Sequence, residues 1–154
     1  MPSDLSSRDK DLVIRTILGE AAQEGPQGQA AVAHVILNRL AVGDYGKTAS
    51  AVVLAPNQFE PWSNRSKELM AISPNSAAYR NVADILDMSA SGEVPDPTNG
   101  ATHFYAPALQ AKLGRSTPSW AKDPTAKIGG HVFYAPQGKV VDPVDAINRA
   151  FESE

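Results

Sequence analysis

Glu20 and Glu24 stand four residues apart at the end of a segment in which Val13, Ile17 and Ala21 repeat with helical spacing. At about 100° per residue, Thr16 and Glu20 fall along the edge of that apolar stripe and Glu24 nearer its centre. A carboxyl group among apolar side chains loses hydration in its charged form. Its pKa then climbs from about 4.3 toward neutrality, where it can serve as a general acid. The alternative is that one or both carboxylates turn outward where the helix frays at Gly25 and pair with a Lys or Arg. Spacing does not choose between Glu20 and Glu24.

Gln27, His34 and Asn38 form a second polar stripe, on a segment that is otherwise mostly apolar. It either faces a cleft or forms a satisfied buried network, and the buried network is the favoured reading. His34, His103 and His131 lack the H-x-x-x-H or H-E-x-x-H spacing of a zinc site, so no catalytic metal and no cofactor are expected. Phe59, Trp62, Tyr105, Trp120 and Tyr134 lie in loops or at strand ends. Aromatic faces flanked by amides and hydroxyls suit a sugar ring, with its apolar CH faces and polar rim; the alternative is that they plug the core. Phosphate-binding glycine loops and G-x-S-x-G elbows are absent.

The elements that must position these groups can be read along the chain. Ser6-Ser7-Arg8-Asp9 resembles a capping box, which predicts a helix from about Arg8 to Gln23. Gly25-Pro26 breaks the chain, and Pro26 suits the first residue of a second helix to about Leu40. Its apolar residues point almost everywhere, which marks a helix surrounded by protein. Thr48 to Leu54 is ambiguous between strand and helix, and Pro56 to Arg65 reads as an exposed loop carrying Phe59 and Trp62. Ser73-Pro74 predicts the cap of a third helix running to Ser91-Gly92. After the turn cluster Pro95 to Gly100, Ala101 to Tyr105 and His131 to Pro136 read as short strands that can pair. Asp142-Pro143 would cap a last helix with Ala146, Ile147, Ala150 and Phe151 on one side.

The whole chain, 154 residues with 42% hydrophobic and 20% charged, is the size and texture of one globular domain. A net charge of −3 excludes bulk attraction to nucleic acid or anionic lipid. The absence of cysteine excludes a disulfide framework, a thiol nucleophile and a thiolate metal site. No run approaches the roughly 18 apolar residues of a membrane helix, so no membrane insertion is expected. Met1 to Asp11 shows no secretory signal, so delivery by another factor is expected if the substrate lies outside the cytoplasm.

Thr16-Ile17-Leu18-Gly19-Glu20-Ala21-Ala22-Gln23-Glu24-Gly25-Pro26-Gln27-Gly28-Gln29, continuing through an apolar segment to Asn38-Arg39, resembles the opening of the SleB/CwlJ cell-wall hydrolases. Gln58-Phe59 with Trp62 resembles that family's aromatic loop. Gly100 to Tyr105 resembles its next block and Ile128 to Tyr134 its closing block. The four blocks, spanning about residues 13–134, stand in the family's order.

The resemblance implies an α+β, mainly helical, lysozyme-like fold, two-lobed with a small antiparallel sheet, and a single catalytic domain over 1–154. It implies cleavage of peptidoglycan glycan strands between N-acetylmuramic acid and N-acetylglucosamine, with Glu20 as the catalytic residue; separately from the resemblance, a monomer is expected. Glu24, Gln58, Phe59, Trp62, His103, Tyr105, Trp120 and Tyr134 would support it or bind substrate. The chain departs from the pattern at Gln23-Glu24-Gly25-Pro26, where Gly-Glu-Pro is common. It also carries Glu60 where a small polar residue is common, so Glu60 is a candidate second carboxylate.

With one acid, a lytic transglycosylase route is expected, leaving 1,6-anhydro-muramoyl ends; with two, a hydrolytic muramidase. A metal-dependent N-acetylmuramoyl-L-alanine amidase and a non-catalytic glycan-binding module are the competing functions. The expected setting is a phage-type endolysin made in the cytoplasm and reaching the wall by holin-like release.

Overall fold

The structure, a computed structural model, describes residues 2–56 and 58–136, with side chains from Ser7 onward. The last helix expected after Asp142 lies outside the described residues.

Helix α1 spans Pro2–Ala21. It begins well before the Ser6-Ser7 signal and stops two residues short of Gln23. A cap contributes about 1 kcal/mol, whereas each fully buried Val, Ile or Leu contributes roughly 1.5–3 kcal/mol. Val13, Ile14, Ile17 and Leu18 are all buried, so packing outweighs the capping signal in placing this helix. Because α1 ends at Ala21, Glu24 is not on its apolar stripe; it is instead the N-cap residue of α2, Gly25–Val42.

Helix α2 is the centre of the molecule. Every residue from Gly28 to Ala41 is buried, as its all-round apolar pattern predicts. It closes at Gly43, whose φ of 87° lets its N–H return to the Arg39 carbonyl at 3.1 Å. Thr48 caps α3, Ala49–Leu54, by accepting from the Ala51 N–H at 3.1 Å, which resolves the ambiguous segment as helix.

The stretch expected to be an exposed loop folds instead into α4, Glu60–Asn64, followed by α5, Ser66–Ala71. Phe59 is buried in the main core and Trp62 packs against it. Helix α6, Ala77–Ala90, is capped by Ser76, whose hydroxyl accepts from the Tyr79 N–H at 3.3 Å. Ser73, the expected cap, instead accepts from the Asn75 N–H in a local turn.

Asp96 holds the Pro95 to Gly100 turn. Its carboxylate accepts from Thr98 N and Oγ1, from Gly100 N and from Asn38 Nδ2 on α2. From this turn issues β1, His103–Tyr105, followed by α7, Pro107–Lys112. Strands β2, Ala126–Ile128, and β3, His131–Tyr134, complete a three-stranded antiparallel sheet in the order β1-β3-β2. The two segments of similar sequence do pair, with His103 opposite Tyr134 and Phe104 opposite Phe133. The Gly129-Gly130 hairpin between β2 and β3 was not anticipated.

Helices α1, α2, α3 and α6 share the main apolar core. A smaller group of Ala31, Val35, Ala101 and Phe133 joins the other side of α2 to the sheet. Helix α2 thus lies between a helical layer and the sheet. No helix among the described residues is long and apolar enough to cross a membrane.

Candidate active site

A cleft of about 510 Å³ opens where the end of α1, helix α4, strand β1 and the α7 region meet. Glu20, on the last turn of α1, lines it and is partly buried. Its position depends on Gly19. A Cβ there would lie 2.7 Å from Pro61 Cβ, so only glycine lets α4 close against α1 at this point. Loss of hydration, and next the negative charge of Glu60, push the Glu20 pKa up to about 7, against the opposing charges of Arg65 and Arg39. Glu20 therefore holds a proton near neutral pH and can also give it up.

Arg39 also lines the cleft, from the buried helix α2. Its Nε donates to the Thr102 carbonyl at 2.6 Å and its Nη1 to Gln58 Oε1 at 3.0 Å. The guanidinium sits between the rings of Tyr45 and Phe59, at 4.8 and 5.0 Å from their centres. Burial lowers its pKa, but an arginine so held stays cationic and supplies a fixed positive charge near Glu20. Phe59 contributes by shaping this pocket for Arg39 from the core, not by facing the cleft.

Glu24 serves a different surface. Its carboxylate lies against the Gly129-Gly130 turn, where a side chain on Gly129 would collide with it, and Oε1 is 3.5 Å from His131 Nδ1. Burial lowers the His131 pKa more than Glu24 raises it, so the imidazole is neutral at pH 7. Glu24 thereby anchors the hairpin to the α1–α2 corner, and His131 carries that contact to the cleft wall.

Tyr105 lines the cleft, and its ring leads away into a cluster with Trp120 and Tyr134, at 5.9 and 6.0 Å between centres. His103 joins the cluster 4.8 Å from Trp120. Burial, and next the charge of Arg39, lower its pKa to about 4, so it stays neutral. Trp62 is not in the cleft: its Nε1 donates to Thr16 Oγ1 at 2.8 Å, tying α4 to α1. Gln27 is exposed and leaves the polar stripe, whereas His34 and Asn38 are fully buried. They are bonded separately, His34 Nε2 donating to the Val94 carbonyl and Asn38 Nδ2 to the Ala101 carbonyl, each at 2.9 Å, while His34 Nδ1 and Asn38 Oδ1 are buried without a partner among the described residues, so the satisfied network that was expected is only partly made.

Glu20, Gln58, Glu60 and Tyr105 are thus brought together; Arg39 and Arg115 join them without having been anticipated as site residues, as does His131, which had been weighed only as a metal ligand. A charged residue within the mostly apolar α2 was the one available signal for Arg39. Among the described residues, no group of three or more His, Asp or Glu side chains is placed to hold a metal ion.

A mainly helical body carrying a small antiparallel sheet, with the carboxyl groups of Glu20 and Glu60 in the cleft beside that sheet, defines an α+β domain with a carboxyl-lined cleft. The chain belongs to the Cell Wall Hydrolase family, which matches residues 23–134. It is 29% identical over 133 residues to a spore cortex-lytic enzyme of Bacillus cereus and 32% identical to one of Halalkalibacterium halodurans. These alignments cover 86% of this chain but only 46% and 36% of those proteins, so the chain spans less than half the length of either. The crystal structure of the catalytic domain of the B. cereus SleB protein superposes with a TM-score of 0.62 at 29% identity, covering 82% of this chain and 89% of that domain. The catalytic domain of the germination-specific lytic transglycosylase SleB from Bacillus anthracis gives 0.61 at 28% identity, covering 81% and 92%.

Proposed function

We propose that this protein cleaves peptidoglycan glycan strands between N-acetylmuramic acid and N-acetylglucosamine as a lytic transglycosylase, with Glu20 as both acid and base. The observation that carries the reading is Glu20 itself, lining the cleft with its pKa near 7. The likeness to a catalytic domain described as a lytic transglycosylase supports it.

Protonated Glu20 donates to the bridging oxygen as the bond from that oxygen to muramoyl C1 breaks. The resulting carboxylate faces the positive charge that develops at C1, and Arg39 lessens the cost of its ionisation. The muramoyl 6-hydroxyl then bonds to C1 and returns its proton to Glu20. The product is a 1,6-anhydro ring, no water is consumed, and the acid is regenerated. Tyr105 offers an aromatic face to the sugar at the cleft wall.

Glu60 supports a second reading, a hydrolytic muramidase, because it faces the same cleft. Its exposed carboxylate, paired with Arg115 at 2.9 Å, has the weaker environment for a base or nucleophile. The amidase reading needs the three histidines to converge. By strand register His103 and His131 lie on opposite faces of the sheet, and His34 is buried against the Val94 carbonyl.

Digestion of purified sacculi in ¹⁸O-water tests the choice. Unlabelled anhydro-muropeptides, with Glu20→Gln losing roughly 10²- to 10⁴-fold in rate or more, are expected. Reducing-end muramic acid carrying ¹⁸O, together with Glu60→Gln as inactive as Glu20→Gln, overturns the one-acid scheme in favour of the muramidase.

A further inference from the structure

An ion pair between Glu60 and Arg115 lies at the cleft, and its arginine has no part in the acid chemistry above. Glu60 opens α4 on the helical side. Arg115 follows Gly114, whose φ of 70° turns the chain after α7. Arg115 Nη1 donates to Glu60 Oε1 at 2.9 Å, with the two side chains 50% and 52% exposed. Both line the cavity that holds Glu20.

The arginines near Glu20 differ in what holds them. Arg39 is buried and bonded to Thr102 and Gln58, and Arg65 Nη2 donates to the Gly19 carbonyl at 2.8 Å. Arg115 is paired with a carboxylate that is itself half in water. Such a pair is weak because solvent screens it, so a second carboxylate entering the cleft can take the place of Glu60 at small cost. A guanidinium also matches the planar fork of any carboxylate, whichever molecule carries it. A glycan strand bearing muramic acid brings that group, either on the lactyl ether or at the end of an attached peptide.

We propose that Arg115 is the receptor for a carboxylate carried by the muramoyl sugar, which displaces Glu60 and so selects glycan with acidic substituents. The proposal rests on the glycan-cleaving function above. It gives Arg115 a role in specificity and Glu60 the role of an internal stand-in for the substrate. Once displaced, Glu60 no longer has its charge offset by Arg115, and that charge favours the protonated form of Glu20 when substrate is bound.

The test reads binding, so that it does not depend on turnover. Calorimetry would measure the affinity of Glu20→Gln protein for soluble murein oligomers with intact peptide stems, and for the same oligomers with their carboxylates capped as methylamides. Strands stripped of their stems, which keep only the lactyl carboxylate, form the third ligand. The oligomers that present the recognised carboxylate, uncapped stems or stripped strands, should bind roughly tenfold more tightly than the capped ones, and adding Arg115→Gln should abolish that difference. Adding Glu60→Gln should tighten binding of the uncapped oligomers by removing the competitor. Tight binding of stripped strands assigns the carboxylate to the lactyl group, and weak binding assigns it to the peptide. Equal affinity for capped and uncapped oligomers together with no tighter binding of the stripped strands, or a preference for the carboxylate-bearing ligand that survives Arg115→Gln, overturns the proposal. Failure of the parent protein to cleave murein would overturn the function above while leaving this measurement readable.

Discussion

Gly19 and Pro61 meet without room for a methyl group between them: a Cβ on Gly19 would lie 2.7 Å from Pro61 Cβ and 3.0 Å from Leu69 Cδ2. The contact sets the distance between α1 and α4, and with it the approach of Glu60 to Glu20. Gly19→Ala must push α4 outward. A loss of about 1–3 kcal/mol in stability is expected, measured by denaturant unfolding, because overpacking of this kind forces backbone shifts. Cleavage should fall even in the fraction that remains folded. Full activity with unchanged stability would show that α4 yields freely and does not position the acid.

Glu20 must be protonated to act as an acid, so activity should fall as pH rises through about 7. The charge of Glu60 raises that pKa, and Glu60→Gln removes it. The alkaline limb of the kcat/KM profile should therefore move to lower pH in Glu60→Gln. Arg39 acts in the opposite direction, so Arg39→Met should move the limb to higher pH in whatever activity survives. Limbs that coincide in all three proteins would mean that another group sets the profile.

The same shift has a consequence for stability. Between pH 4.5 and about 7 the folded protein keeps a proton on Glu20 that the unfolded chain has lost. The native state binds more protons in this window, so stability falls as pH rises through it. Glu20→Gln does not titrate and should gain on the parent over the window, by at most about 3 kcal/mol above pH 7 and by nothing below pH 4.5. Thermal melts at pH 4 and pH 8 measure the difference; a gain at pH 4 equal to that at pH 8 contradicts the shifted pKa.

Trp62 and Tyr105 separate folding from binding. Trp62 packs on the main core and bonds Thr16, so Trp62→Ala should cost roughly 2–3 kcal/mol in stability. Tyr105 lines the cleft, and Tyr105→Ala should weaken substrate use by about 1 kcal/mol, close to fivefold, with a smaller change in melting temperature. The reverse pattern would place Trp62 in the groove and Tyr105 in the core.

Much of this arrangement was legible in the residues. The apolar spacing of Val13, Ile17 and Ala21 places α1, the all-round apolar pattern buries α2, and the echo of His-Phe-Tyr-Ala-Pro marks two strands that pair. Local pattern carries these because period and turn chemistry act over a few residues. It also put a carboxyl near the end of the first helix, but ran that helix to Gln23, two residues past its end at Ala21.

Residue spacing left the two glutamates open and the resemblance pointed to Glu20; tertiary packing is what gives them different surroundings. Helix α1 ends at Ala21, which leaves Glu20 on its last turn at the cleft and turns Glu24 toward the Gly129-Gly130 hairpin. Packing likewise folded the supposed aromatic loop into α4 and drew Phe59 into the core, because large aromatic surface is cheaper buried than exposed. Arg39 meets Thr102 across 63 residues and Arg115 meets Glu60 across 55. Contacts at such separations leave no periodic trace in the chain, so the charges that tune Glu20 are set by how the layers pack and not by the order of the residues around it.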